Sequence, residues 1–95
     1  MATSKEYFKY VLDLLREVKG ISYKKMMGEY LLYKGDTLFG GVYDDRFLIK
    51  ITKSSKLYGF SERIPYPGGK PMLLVDIENS EEIKEIVNKV CADLD

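Results

Sequence analysis

Helical periodicity is confined to the two ends of this 95-residue chain, and β-type alternation fills the stretch between them. In the first segment, apolar residues recur at intervals of three and four, at Phe8, Val11, Leu12, Leu15 and Val18. Thr3 and Glu6 have the spacing of a capping box, and Gly20 is placed to end this helix. Asn79 or Ser80 opens a second helix, whose apolar stripe consists of Ile83, Ile86, Val87, Val90, Cys91 and Leu94. Two helices that bracket a β region predict an α+β domain.

Five segments between the helices are rich in β-branched and aromatic residues, which predicts strands. These segments are 22–27, 30–33, 38–43, 46–52 and 72–76. Short turn sequences after the second and third strands predict an antiparallel meander of strands two to four. Residues 53–70 are irregular, with a short helical turn expected after Ser54 and a loop at 65–69. We therefore expect a two-layer sandwich: a mostly antiparallel five-stranded sheet carries both helices on one face and leaves the other less buried.

Length and composition favour one cytoplasmic domain that spans residues 1–95. The one cysteine cannot form an internal disulfide, which is typical of a reducing compartment. No apolar run approaches the roughly 20 residues that a membrane-spanning helix needs. The first residues also lack the apolar stretch of a secretory signal. We expect no membrane association.

Charge is unevenly distributed along the chain, although the formal net charge is zero. Residues 46–70 carry six basic and one acidic side chain, whereas residues 71–95 carry two basic and seven acidic ones. The basic side chains of the middle segment form a candidate anion or nucleic-acid patch; they are Arg46, Lys50, Lys53, Lys56, Arg63 and Lys70. The alternative is that the basic and acidic segments attract each other in the fold. The zero net charge argues against a dedicated nucleic-acid domain.

The chain contains no histidine, which removes the commonest general base and the most frequent metal ligand. One cysteine with scattered carboxylates also lacks the spacing of a zinc site. Cys91 lies in an apolar helix stripe, so we interpret it as a packing residue, and we interpret Asp44-Asp45 as a turn. Gly68-Gly69-Lys70 lacks the other residues of a phosphate-binding loop. We therefore expect a protein that is not an enzyme and uses no cofactor or metal.

Two features of the β region indicate a bulge or a contact surface. Gly40-Gly41 inside the third strand predicts a bulge, or a backbone that a neighbouring element or a ligand approaches closely. The chain also has eight tyrosines, and tyrosine is enriched at interfaces because it buries area while keeping a polar tip. The candidate interaction surface consists of Tyr30, Tyr33, Tyr43, Tyr58 and Tyr66. The alternative is that these are ordinary half-buried sheet residues.

A series of short motifs in the same order resembles a known family. They are Lys-Lys-Met-Met-Gly-Glu-Tyr-Leu-Leu-Tyr at 24–33, Gly35, Leu-Phe-Gly at 38–40, Asp-Asp-Arg-Phe-Leu-Ile-Lys at 44–50, Pro-Tyr at 65–66 and Lys-Pro-Met at 70–72. Together they resemble the N-terminal domain of the TfoX family, named for the TfoX/Sxy regulators of bacterial competence genes. The resemblance covers nearly the whole chain and implies a two-layer α+β fold similar to that of secretion chaperones.

The chain departs from the family pattern at several positions. Lys24 stands where the family often has arginine, Met27 replaces a phenylalanine, and Glu29 and Leu31 replace glycines. The two-domain regulators also carry a C-terminal helical domain, which we expect this chain to lack because the sequence ends at Asp95. The resemblance implies no catalytic residues.

Three functions are consistent with these features. The leading interpretation is a regulatory module that acts by protein–protein contact, with an unidentified partner or with a second copy of the chain as a homodimer. The first alternative is nucleic-acid binding through residues 46–70. The second is a small-molecule sensor with a pocket near Gly40-Gly41.

Overall fold

The computed structural model describes residues 3–95, which form two helices and a six-stranded sheet. In chain order the elements are α1 (Lys5–Leu14), β1 (Ile21–Met26), β2 (Glu29–Lys34), β3 (Thr37–Val42), β4 (Phe47–Ile49), β5 (Glu62–Arg63), β6 (Met72–Leu74) and α2 (Ser80–Leu94). A 3₁₀ turn at Ser55–Tyr58 lies between β4 and β5, where a helical turn after Ser54 is predicted. The predicted α+β class is confirmed. The sheet has six strands rather than five because the two-residue β5 pairs with β6.

Every strand pairing in the sheet is antiparallel, in the order β1-β2-β3-β4-β6-β5. The predicted meander is confirmed and extends from β1 to β4. Asp44-Asp45 forms the turn between β3 and β4, as predicted, with φ angles of 52° and 56°. Tyr43 and Arg46 exchange both backbone hydrogen bonds across this turn, at 2.9 and 3.0 Å, so it is a two-residue hairpin loop.

Both helices pack on one face of the sheet, as predicted. The buried side chains of this inner face and of the helices form one core cluster, in which the largest fully buried ones include Val11, Leu15, Leu32, Phe39, Val42, Phe47, Ile49, Ile83, Ile86, Val87 and Val90. Cys91 belongs to the same cluster, and burial raises the pKa of its thiol, in agreement with a packing role. We call the opposite side of the sheet the outer face.

A β-bulge decides which residues of β3 reach each face. Leu32 pairs with Gly40 and Tyr33 pairs with Leu38, which leaves Phe39 as an extra residue without a partner on β2. Because of this extra residue, Phe39 is fully buried in the core while Leu38 lies on the outer face beside Tyr33. A bulge is therefore present in β3, one residue before the Gly40-Gly41 pair at which a bulge or a close approach is predicted, and both glycines are closely approached by neighbouring atoms.

The ends of α1 differ from the predicted ones. Ser4, not Thr3, is the N-cap, since its hydroxyl accepts a hydrogen bond from the Tyr7 amide at 3.1 Å. The hydroxyl of Thr3 instead donates to the Glu29 carboxylate at 2.7 Å. The α-helix ends at Leu14, before Gly20. The chain then continues as turns that extend the buried stripe of the helix. Asn79 caps α2 as predicted, accepting from the amides of two glutamates at 3.0 Å.

Two further observations concern the described residues as a whole. Neither helix within residues 3–95 combines the length and the apolar character that crossing a membrane requires. In the same part of the chain, no three carboxylate or thiol side chains are grouped so that they could hold a metal ion.

Candidate functional site

A groove of about 930 Å³ lies on the outer face of the sheet. Its floor comes from the strands and from the residues that follow β4, namely Met26, Leu31, Leu38, Gly40, Tyr43, Lys50, Ile51 and Met72. The wall of the groove is a loop that crosses this face, residues 64–71, which we call the covering loop. The covering loop contributes Pro65, Tyr66, Gly68, Gly69, Lys70 and Pro71.

Arg46 holds the covering loop against the sheet. Its Nη2 donates to the carbonyl oxygens of Ile64 and Pro65, each at 3.2 Å, and its Nε donates to the carbonyl oxygen of Tyr43 at 3.2 Å. One guanidinium thus joins the start of the loop to the β3–β4 turn. Pro65 is buried, and the amide of Gly69 closes a turn at the tip of the loop by donating to the carbonyl of Tyr66 at 2.9 Å.

We expect the Arg46→Ala variant to release the covering loop. Three charge-assisted hydrogen bonds disappear, so we expect a loss of about 1–2 kcal/mol in the free energy of unfolding. Hydrogen–deuterium exchange followed by mass spectrometry should show faster exchange in residues 64–71. Arg16→Ala is the control, because within residues 3–95 the guanidinium of Arg16 forms its hydrogen bonds and ion pair with Asp13, three residues earlier. Equal exchange in the two variants would contradict an anchoring role for Arg46.

Tyr43 belongs to the floor of the groove, and the absence of a side chain on Gly41 leaves space for its ring. A Cβ on Gly41 would lie 2.7 Å from Cε2 of Tyr43 and 2.6 Å from the Tyr30 carbonyl oxygen. The Tyr43 ring therefore occupies the space beside Gly41, with its centroid 6.0 Å from that of Tyr66. Burial raises the pKa of the Tyr43 phenol, and the nearby Tyr66 phenol raises it further.

The five predicted tyrosines do not form one surface. Tyr43 and Tyr66 line the groove, and Tyr33 lies beside it on the same face of the sheet. Tyr30 is buried on the inner face, where its ring stacks on Phe8 with a centroid distance of 3.6 Å. Tyr58 stacks on Phe60 and donates to the carboxylate of Glu85 on α2 at 3.4 Å. Strand alternation and the 3₁₀ turn separate residues that the sequence pattern grouped together.

The six predicted basic residues are also divided among several places. Lys50 and Lys70 line the groove. Arg63 pairs with Met72 in the sheet, so it lies on the outer face at the margin of the groove. The other three lie apart from the groove lining; they are Arg46, Lys53 and Lys56.

Lys53 belongs to the α2 side of the molecule. The Ser54 amide donates to the Asp93 carboxylate at 2.8 Å, and this bond lowers the pKa of Asp93, with a smaller contribution from Lys53. The contact joins the segment after β4 to the C-terminal end of α2 through a backbone amide, and Lys53 lies near the same carboxylate.

Several groove residues could not be identified from local pattern. Leu31, Leu38 and Met72 have the local pattern of ordinary strand residues. The charge pattern places Arg46 in the basic patch, whereas its guanidinium holds the covering loop. The signal that could have located Leu38 is alternation counted across a bulge next to Gly40-Gly41, with Phe39 as the extra residue.

Comparison with known proteins gives one informative similarity. No family model matches the chain. An uncharacterised 12.7 kDa protein in the trpE 5′ region of Spirochaeta aurantia is 29% identical over 98 residues, which cover 99% of this chain and 85% of the relative. The similarity therefore extends over both helices and the sheet. It carries no assignment of activity.

Proposed function

We propose that the protein is a non-enzymatic, cytoplasmic interaction module that receives a protein partner in the groove on its outer face. The observation that carries this proposal is an apolar groove at which several apolar side chains remain exposed to solvent. Met26 is 50% exposed and Tyr66 is 57% exposed, and both line the groove. Ile64, at the start of the covering loop, is 46% exposed. Exposed apolar side chains gathered around a concave surface are typical of protein interaction sites.

The open shape of the groove favours a segment of a protein over a small molecule. Small-molecule sites bury most of the surface of their ligand. Here the covering loop leaves Gly68, Lys70 and Pro71 exposed along one side of the groove. A segment that lies along such a groove keeps part of its surface in solvent and continues into the rest of its own chain.

The resemblance to the TfoX N-terminal domain supports a regulatory role for this interaction. The residues that carry the resemblance include much of the groove region: Met26, Leu38, Lys50, Tyr66, Lys70 and Met72. We propose that partner binding contributes to transcriptional regulation, by contact with another protein rather than with DNA.

Site-specific photo-crosslinking in cells of the source organism tests this proposal. A benzophenone-bearing phenylalanine replaces Tyr66 in one variant and Tyr23 in a control variant. The two tyrosines are matched, with exposures of 57% and 52%, but Tyr23 lies on the inner side of edge strand β1 against Phe8. We expect a discrete protein adduct from position 66 and none from position 23. Adducts from both positions, or from neither, would contradict a partner site in the groove.

A further inference from the structure

We propose that the groove recognises a protein segment in which an acidic side chain stands between apolar ones. This inference rests on the proposed function and specifies the chemistry of the partner. It follows from the charges of the groove, since the shape alone would fit any apolar segment.

The side chains that line the groove are mostly apolar, and two of them carry a positive charge. Among the described residues that line it, Lys50 and Lys70 are the charged side chains, and none is acidic. Neither lysine forms an ion pair within residues 3–95. Arg63 adds a third cation at the margin. A partner that covers these ammonium groups removes water from them, so binding requires an acceptor of opposite charge.

The positions of the two lysines indicate where that acceptor lies. Lys50 directly follows β4 on the floor, whereas Lys70 is on the covering loop, so the two cations come from different elements of the groove. The apolar contacts come from Met26, Leu31 and Leu38 at the β1–β3 side of the groove. A bound segment thus contacts apolar side chains along the floor and places its own carboxylate near the two lysines. The phenol of Tyr66 provides a further donor on the same wall as Lys70.

The same charges argue against two other occupants. A second copy that docked groove to groove would bring the two lysines of each copy into one interface without an acidic lining residue, and like charges in a desolvated interface are costly. Nucleic acid needs a run of cations along its backbone. The structure instead ties Arg46 to the covering loop and leaves Lys53 beside the acidic end of α2.

Selection from a phage-displayed library of random dodecapeptides tests the inference, with fluorescence anisotropy on synthetic versions of the enriched peptides. We expect a shared Asp or Glu flanked by apolar residues. In the Lys50→Glu/Lys70→Glu variant, affinity should fall by about tenfold or more. In the unmodified protein, affinity should weaken as the salt concentration rises. The matched control is Lys53→Glu/Lys56→Glu, which makes the same charge change at exposed positions outside the groove. Circular dichroism confirms that both variants fold.

The remaining outcomes separate this inference from the proposed function. Peptides that need Tyr66 but lack an acidic residue, and that bind equally to both charge variants, would overturn the inference and leave the groove as a protein site. Peptides whose binding is indifferent both to Tyr66→Ala and to the Lys50→Glu/Lys70→Glu variant would overturn both. Displacement of the peptides by a short single-stranded oligonucleotide would assign the groove to nucleic acid and would likewise overturn the inference. A protein that self-associates in light scattering, and loses this in the lysine variant, would assign the face to a second copy.

Discussion

The Gly40→Ala variant is expected to lose about 3 kcal/mol or more of its free energy of unfolding, at the upper end of the range for overpacked interiors. A Cβ at this position would press against the carbonyl oxygen of Leu48 and lie 3.0 Å from the Cα of Ile49. Both neighbours are backbone atoms of β4, so no side-chain rotation can relieve the contact. Strands β3 and β4 would have to separate at the centre of the sheet. Urea denaturation followed by tyrosine fluorescence and circular dichroism measures the loss.

A second glycine separates this clash from the general cost of replacing glycine. A Cβ on Gly35 would meet nothing within 4 Å, but the residue has a φ of +60°. Gly35→Ala therefore carries only the strain of a left-handed backbone, about 1–2 kcal/mol. If Gly40→Ala cost no more than Gly35→Ala, β4 would not approach β3 as closely as the structure shows. A domain of this size has roughly 5–15 kcal/mol of stability in total, so the two results are readily distinguished.

The architecture could be predicted from the sequence because local periodicity carries it. The apolar stripes of both helices and the alternation of the main strands point to the same two-layer packing. Strand β5 could not be predicted because its two residues, Glu62 and Arg63, are too few to show the alternation of a strand. They become a strand only by pairing with β6, which is separated from them by the covering loop.

The N-terminus of α1 shows how a distant contact can override a local signal. Thr3 and Glu6 have the spacing of a capping box. Thr3 is instead bound by Glu29, a residue of β2, through both its hydroxyl and its amide at 2.7 and 3.1 Å. Ser4 is then in position to cap the helix. The sequence of the first turn of the helix cannot predict that Glu29 lies next to it.

The groove was less predictable than the fold for the same physical reason. The sequence pattern indicates tyrosines and lysines as candidates, and Tyr43, Tyr66, Lys50 and Lys70 do line one groove. Which candidates meet depends on the covering loop, whose position is set by the hydrogen bonds of one arginine to two backbone carbonyls. Backbone acceptors are present at every residue and leave no trace in the sequence. Charge and composition can therefore suggest the residues of such a site but not their grouping.

Phe39→Ala is expected to have the other large effect, a loss of about 3–5 kcal/mol in the free energy of unfolding. Phe39 is fully buried and belongs to the core between the sheet and the helices. Truncation leaves a cavity in a core where α2 packs on β3, and the surrounding strands cannot collapse into it. Chemical denaturation of the variant, compared with the unmodified protein, gives the magnitude.

Leu38→Ala is the matched control, because the bulge exchanges the expected roles of these two neighbours. In a regular strand, counting back from buried Val42 by twos places Leu38 in the core and Phe39 on the outer face. The extra residue in β3 reverses this arrangement, and Leu38 is only half-buried in the groove. We therefore expect Leu38→Ala to cost about 1 kcal/mol, well below the range for fully buried leucines, and to weaken partner binding instead. A larger loss from Leu38→Ala than from Phe39→Ala would mean that β3 alternates without a bulge. The floor of the groove would then be built from different residues.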